Sequence, residues 1–109
     1  MPQKHRVTFA IGQGFDKNGI ELYALNTKRT AALAKTAREF GGFSAVDAQG
    51  GWIAGKGKLV TEPSLIITVY TDKVFDACEI HAQRLAELFN QESVMLTVEP
   101  VISIDFVGQ

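Results

Sequence analysis

The chain has little of what marks the specialised protein classes. It holds one cysteine, Cys78, among 109 residues, which excludes an internal disulfide and a disulfide-stapled scaffold. Three prolines and ten glycines are too few for a collagen-like or low-complexity chain. No apolar run approaches the roughly 20 residues that a membrane-spanning helix needs. The opening Met1-Pro2-Gln3-Lys4-His5-Arg6 passes into an alternating pattern with no signal-type apolar stretch. The expectation is a cytoplasmic protein with no membrane association. The formal net charge is only −1. A field that weak gives no reason to expect a nucleic-acid partner.

What is present is an ordinary core-forming composition. Apolar residues make up 46% and charged residues 21%, values that suit one globular domain over residues 1–109. The near-zero charge conceals an imbalance. Residues 1–58 hold nine Lys and Arg against four Asp and Glu, and residues 59–109 hold two against eight. The basic half includes Lys28, Arg29, Lys35, Arg38, Lys56 and Lys58; the acidic half includes Asp76, Glu79 and Glu87. If the two helices lie side by side, much of this charge is expected to face itself within the molecule or across a dimer.

Periodicity gives the elements. Residues 7–13 alternate, with Val7, Phe9 and Ile11 on one side, and predict a half-buried strand. Asp16-Lys17-Asn18-Gly19 is a turn signal, and Ile20 to Leu25 is a short apolar run of ambiguous type. Residues 27–40 read as a helix with Thr27 as N-cap, an apolar stripe at Leu33, Ala37 and Phe40, and a stop at Gly41-Gly42. Phe43 to Asp47 is a short strand, and residues 48–58 a glycine-rich flexible connection. Lys58 to Thr61 is extended and broken at Glu62-Pro63, after which Ser64–Thr71 is a strong strand. Asp72 is the expected N-cap of a second helix over 73–90, whose stripe is Val74, Cys78, Leu85 and Phe89. Residues 93–107 have apolar residues at nearly every even position. Pro100, which cannot donate to a ladder, marks an edge, a bulge or a break between two strands.

The order β-α-β-β-α-β is the ferredoxin-like α+β arrangement. It places two helices on one face of a four-stranded antiparallel sheet, with an extra C-terminal strand allowed by the tail pattern.

Few motifs carry chemistry. Gly50-Gly51-Trp52-Ile53-Ala54-Gly55-Lys56 fits G-x-x-x-x-G-K, but Gly57 stands where a P-loop needs Ser or Thr, and a strand follows where a helix is required. The segment reads as a hairpin connection with Trp52 tucked onto the protein. Gly12-Gln13-Gly14 lacks the third glycine of a dinucleotide fingerprint. Cys78 and His81 share a helix face, yet Cys78 lies in the core stripe and reads as an inert thiol. His81, at the edge of that stripe, reads as a structural histidine. No metal site and no cofactor is expected. Ser44, Ser64, Ser93 and Ser103 sit in no nucleophile elbow, and Glu62, Glu92 and Glu99 have no visible pocket partner.

Two surfaces stand out. At the start of the first helix, Thr27, Lys28, Arg29 and Thr30 put two cations where the helix dipole disfavours them. They form a candidate site for a small anion, against the alternative of a solvated basic face. On the sheet, Thr8, Ala10, Ile66, Thr68, Tyr70, Met95 and Thr97 share the face away from the apolar parity. With only Tyr70 aromatic and no basic partner there, this is no RNA-reading surface. It is a candidate interface for a second copy or another protein.

Three short stretches resemble a family of small uncharacterised bacterial ferredoxin-like proteins. They are Gly50-Gly51-Trp52, Glu62-Pro63-Ser64, and Phe89-Asn90-Gln91-Glu92-Ser93-Val94. The resemblance implies the fold and brings no activity, cofactor or site residue with it; small proteins of this sort are often encoded by phages or other mobile elements. The expected function is that of a non-catalytic binding or interaction protein, oligomeric through its open sheet face. One alternative is a small enzyme of the dimeric α+β-barrel kind, with a pocket between sheet and helices in which His81, Tyr70 and Glu99 are the polar groups. Another is an anion or nucleotide sensor using the start of the first helix.

Overall fold

The computed structural model describes residues 5–108. Its elements run β1 (His5–Gly12), α1 (Leu25–Phe40), β2 (Ser44–Ile53), β3 (Leu59–Thr71), α2 (Phe75–Leu88) and β4 (Met95–Pro100). The four strands form one antiparallel sheet in the order β2-β3-β1-β4. This is the ferredoxin-like α+β fold that the element order predicts.

The alternation of β1 and β3 builds the core. Val7, Phe9, Ile11, Leu65, Ile67 and Val69 are fully or almost fully buried under the helices. They meet Ala32 of α1, Cys78, Ala82 and Leu85 of α2, and Phe89 just beyond it. Cys78 is the expected buried thiol, and burial pushes its pKa up.

Several boundaries differ from the sequence expectation. α1 begins at Leu25, and its N-cap is Ala24 in the left-handed region (φ 51), not Thr27. The apolar Leu25 packs against the core, and that burial outweighs the capping preference of Thr27. α2 begins at Phe75 with Val74 as its uncapped N-cap, so Asp72 caps nothing and Val74 is 70% exposed rather than part of the stripe. The Thr71 hydroxyl instead accepts from the Lys73 amide at 3.0 Å. α2 ends in a Schellman arrangement: Gln91 N–H donates to Ala86 C=O at 2.8 Å and Asn90 N–H to Glu87 C=O at 3.1 Å. Asn90 takes the left-handed conformation (φ 48) that this cap requires.

The largest departure is the β2–β3 hairpin. The glycine-rich stretch is not a flexible connection, because β2 runs to Ile53, and β3 runs unbroken through Glu62-Pro63 from Leu59. Only Ala54 to Lys58 makes the turn, with a single 3-10 turn at Gly55–Gly57. Pro63 is tolerated because its carbonyl accepts from the Gln13 amide just past the end of β1. Its missing N–H points to the same side, where the ladder ends. Beyond that point the hairpin is two strands wide and carries Trp52, Ile53 and Leu59, all at least half exposed. Trp52 is therefore not tucked onto the protein. The projecting arm raises the radius of gyration to 15.2 Å, against about 13 Å for a compact chain of this length.

At the other end, β4 stops at Pro100. Residues 101–108 form no strand, although the even-position pattern continues through Ile102, Ile104 and Phe106. The charged helices also do not pair with one another as expected. The ion pairs among the described residues are Arg6–Glu99, Arg29–Asp47 and Lys73–Glu39.

Candidate functional site

The candidate enzyme residues separate. His81 is 2% exposed, packed edge-on against Phe9 and Phe40 with ring centroids 5.1 Å away in each case. The Thr36 hydroxyl donates to the Ala32 carbonyl at 2.8 Å and lies 2.9 Å from His81 Nε2. A hydroxyl has one proton to give, so Thr36 accepts from Nε2–H, which fixes the tautomer. Burial holds the His81 pKa below its ordinary value, with Glu39 pulling the other way and Arg84 and Lys35 adding to the depression. Tyr70 and Glu99 lie on the opposite face, in register with Arg6 on either side of it. Arg6 Nη2 holds both Glu99 oxygens at 2.9 and 3.0 Å, and this pairing raises the Arg6 pKa. The three groups therefore share no pocket between sheet and helices. Two surface clefts of about 440 Å³ each flank Tyr70 where residues 101–106 cross the end of the sheet.

The start of α1 is also rearranged. Arg29 Nη1 donates to Asp47 Oδ1 and to Gln13 Oε1, both at 2.6 Å, and this contact holds the Asp47 pKa down. Lys28 lies 4.8 Å over the Tyr23 ring, and its amide already donates to Ala24 C=O at 3.1 Å. Thr27 and Thr30 are exposed on the helix surface. Two of the free amides of the first turn, those of Leu25 and Asn26, precede this cluster, and Arg29 already has a carboxylate. The candidate interface residues do assemble. Thr8, Ala10, Ile66, Thr68, Tyr70, Met95 and Thr97 all lie on the face away from the helices, in cross-strand rows.

A different group converges at the end of β1. Glu62 of β3 leans over the bare backbone of Gly12 and Gly14. A Cβ on Gly12 would stand 2.6 Å from Glu62 Oε1 and 3.3 Å from Gln91 Oε1, and one on Gly14 would stand 3.2 Å from Glu62 Oε2. Across the ladder Glu62 faces Gly50. The corner is stitched by its loops: Gln91 Nε2 donates to Phe15 C=O at 2.7 Å, Asn90 Nδ2 to Asp16 Oδ2 at 3.0 Å, and the Lys17 amide to Asn90 C=O at 2.8 Å. The amides of Ile20 and Asn18 on Asp16 hold that carboxyl below its ordinary pKa. The Schellman end of α2 aims Gln91 here. Glu62 is half-buried and, among the described residues, has no hydrogen-bond or ion-pair partner. The corner is thus a carboxylate packed over two glycines beside a side-chain amide, an arrangement that leaves a negative charge open to a small cation.

Glu62 has no local signature in the sequence, because its neighbours come from three separate segments. The signal was indirect: all three stretches that carry the family resemblance, at 50–52, 62–64 and 89–94, meet at this corner. Among the described residues no three His, Cys, Asp or Glu side chains gather as a metal site would require, and no helix is long and apolar enough to cross a membrane.

No family model matches the chain, and no curated protein matches it in sequence. Its fold is shared with solved structures. A phage SAM lyase in complex with S-methyl-5'-thioadenosine superposes with a TM-score of 0.64 at 20% identity, over 92% of this chain and 83% of that one. The same enzyme type in its apo state gives 0.66 at 21% identity, over 90% and 81%. The divalent cation tolerance protein Cut A1 from Thermus thermophilus gives 0.63 at 11% identity, over 94% and 87%. Likeness at these identities establishes the fold.

Proposed function

We propose that the protein is a homo-oligomer assembled through its open sheet face, and that it binds a small cationic molecule at the Glu62 corner. The ligand class is an S-adenosyl sulfonium compound. The observation that carries the reading is Glu62, a half-buried carboxylate without a partner among the described residues, laid across Gly12 and Gly14. A carboxylate that gives up hydration without a partner destabilises the fold, and a bound cation removes that cost. A sulfonium supplies a permanent positive charge. The phage SAM lyase supports this choice, since it holds S-methyl-5'-thioadenosine on the same fold. The oligomer is supported by the exposed Val46 and Met95 and by the half-exposed Trp52 of the projecting arm, because isolated two-stranded hairpins are marginal in water.

Trp52 is the sole tryptophan and lies two residues beyond Gly50 on the same strand, so its fluorescence reports occupancy. Titration with S-adenosylmethionine is expected to give a saturable change, weaker for the neutral S-methyl-5'-thioadenosine. Glu62→Gln is expected to weaken the sulfonium about tenfold or more, equivalent to about 1.4 kcal/mol. Gly12→Ala, which leaves the charge in place but displaces the carboxylate, is expected to act in the same direction. Equal affinity of the charged and neutral ligands, or no response at millimolar concentration, removes the reading.

A second reading is favoured by the same carboxylate and by the likeness to an enzyme. The corner cleaves the S-adenosylmethionine it binds: the substrate's own carboxylate attacks Cγ, forming the carbon–oxygen bond of a lactone as the Cγ–sulfur bond breaks, so that the electron pair passes to sulfur and the neutral thioether S-methyl-5'-thioadenosine leaves. Chromatography of protein incubated with S-adenosylmethionine then shows S-methyl-5'-thioadenosine accumulating above the uncatalysed background, and Glu62→Gln abolishes the excess.

A further inference from the structure

Residues 101–108 are written as a strand and are not used as one. Ile102, Ile104 and Phe106 alternate with Ser103 and Asp105, yet Ile102, Phe106 and Val107 are each at least 87% exposed. Among the described residues, no backbone hydrogen bond joins this segment to the rest of the chain. The cause is topological. The segment leaves β4, an outer strand of the sheet, and crosses toward Phe43 and Ser44 at the start of β2, the opposite outer strand. A chain that crosses strands cannot pair with them.

The outer edge of β2 has the complementary deficit. It presents ten residues, SAVDAQGGWI, without proline, lysine or arginine. Its single charge, Asp47, is already held by Arg29. Edges are normally protected by charge, proline, a bulge or short length. The β4 edge is six residues long and ends in Pro100, whereas β2 has no such protection. Val46 and Trp52, both at least half exposed, add apolar surface on the open-face side of that edge.

We propose that residues 102–107 of one copy pair with the outer edge of β2 of a second copy, extending its sheet by one strand. The apolar side chains of Ile102, Ile104 and Phe106 then share the open face with Val46 and Trp52, and Ser103 and Asp105 point to the other side. The inference rests on the oligomer reading given above and names the contact that builds it.

The test uses the full chain. Light scattering first gives the mass in solution. Phe106 is then replaced by photoreactive p-benzoylphenylalanine in an equal mixture of nitrogen-14 and nitrogen-15 protein, unfolded and refolded together, and the cross-linked peptides are mapped. The expected result is an oligomeric mass and cross-links from position 106 to peptides of 44–53 that pair a light with a heavy member. A monomeric mass at all concentrations overturns the oligomer reading and this inference with it. An oligomer whose cross-links are all within one chain, or fall away from β2, overturns this inference alone. The triple variant I102D, I104D, F106D is expected to lose the oligomeric mass while keeping its circular dichroism, since none of the three lies in the core. Retention of the oligomer by that variant also overturns the inference.

Discussion

On β1, Val7, Phe9 and Ile11 are fully buried, whereas Thr8 and Ala10, one residue step away on the same strand, remain half-exposed. β3 repeats the contrast between Leu65, Ile67 and Val69 on one face and Ile66, Thr68 and Tyr70 on the other. The two faces share a backbone and hydrogen-bond ladder, so the difference between them is one of cover. The helix face is completed within the chain by α1 and α2. The open face offers rows of small and semi-apolar side chains, bordered by an arm and a segment that find no partner in their own molecule. Burial is thus concentrated on one side, and exposed semi-apolar surface on the other.

The sharpest way to break this contrast is to remove one large side chain from each face. Phe9→Ala is expected to cost about 3–5 kcal/mol in urea unfolding, because Phe9 is central to the core and packs on Phe40 and His81. Thr8→Ala, its sequence neighbour, is expected to stay within about 0.5 kcal/mol. Comparable costs at the two positions would show that the open face is as integral to the single chain as the core. Thr36→Val is the next largest. It leaves the His81 Nε2–H buried without an acceptor, which costs about 1–3 kcal/mol.

The same histidine gives the helix face a pH dependence. Its folded pKa is lowered from 6.5, so the unfolded chain binds the proton more readily. The contribution to stability is complete above about pH 6.5 and falls as the pH drops from there toward the folded pKa. Thermal unfolding followed between pH 7.5 and 5 should show this decline, and His81→Gln should lack the histidine part of it. The smallest effect is expected at the margin of α1. Arg29→Ala should return the Asp47 carboxyl toward the ordinary range, a shift read by carbon-detected NMR titration, with little change in unfolding.

The contrast also explains what could be read in advance. The helix face was legible because burial imposes a period on side chains, and that period is visible in Val7-Phe9-Ile11, in Leu65-Ile67-Val69 and in Cys78, Leu85 and Phe89. The arm was not legible. Gly50, Gly51 and Pro63 carry the local signature of a loop, and only the ladder of β2 on β3 overrides it. Residues 101–107 mislead in the opposite direction, since a strand pattern does not make a strand without an edge to join. The carboxylate at position 62 has no local signature at all. Its setting depends on Gly12 at the end of β1 and Gly14 just beyond it, on the left-handed turn at Asn90 that aims Gln91, and on a register that places Gly50 opposite. The groups set aside as unpaired acids and incomplete glycine motifs are the ones that meet.

The position of β1 in the sheet has a consequence during synthesis. β1 is made before every strand it pairs with, and its two neighbours come from residues 59–71 and 95–100. A nascent chain that has reached the end of α2 can assemble the β2–β3 hairpin and dock β1 on one side only. The other edge of β1, the strand that carries Val7, Phe9 and Ile11, then stays open until Met95–Pro100 emerges. An open apolar edge is a template for pairing between chains. Ribosome stalling or proteolysis just before Met95 should therefore yield aggregate rather than a smaller soluble domain, and the exposure of the cell to that hazard is set by how quickly the last strand is delivered.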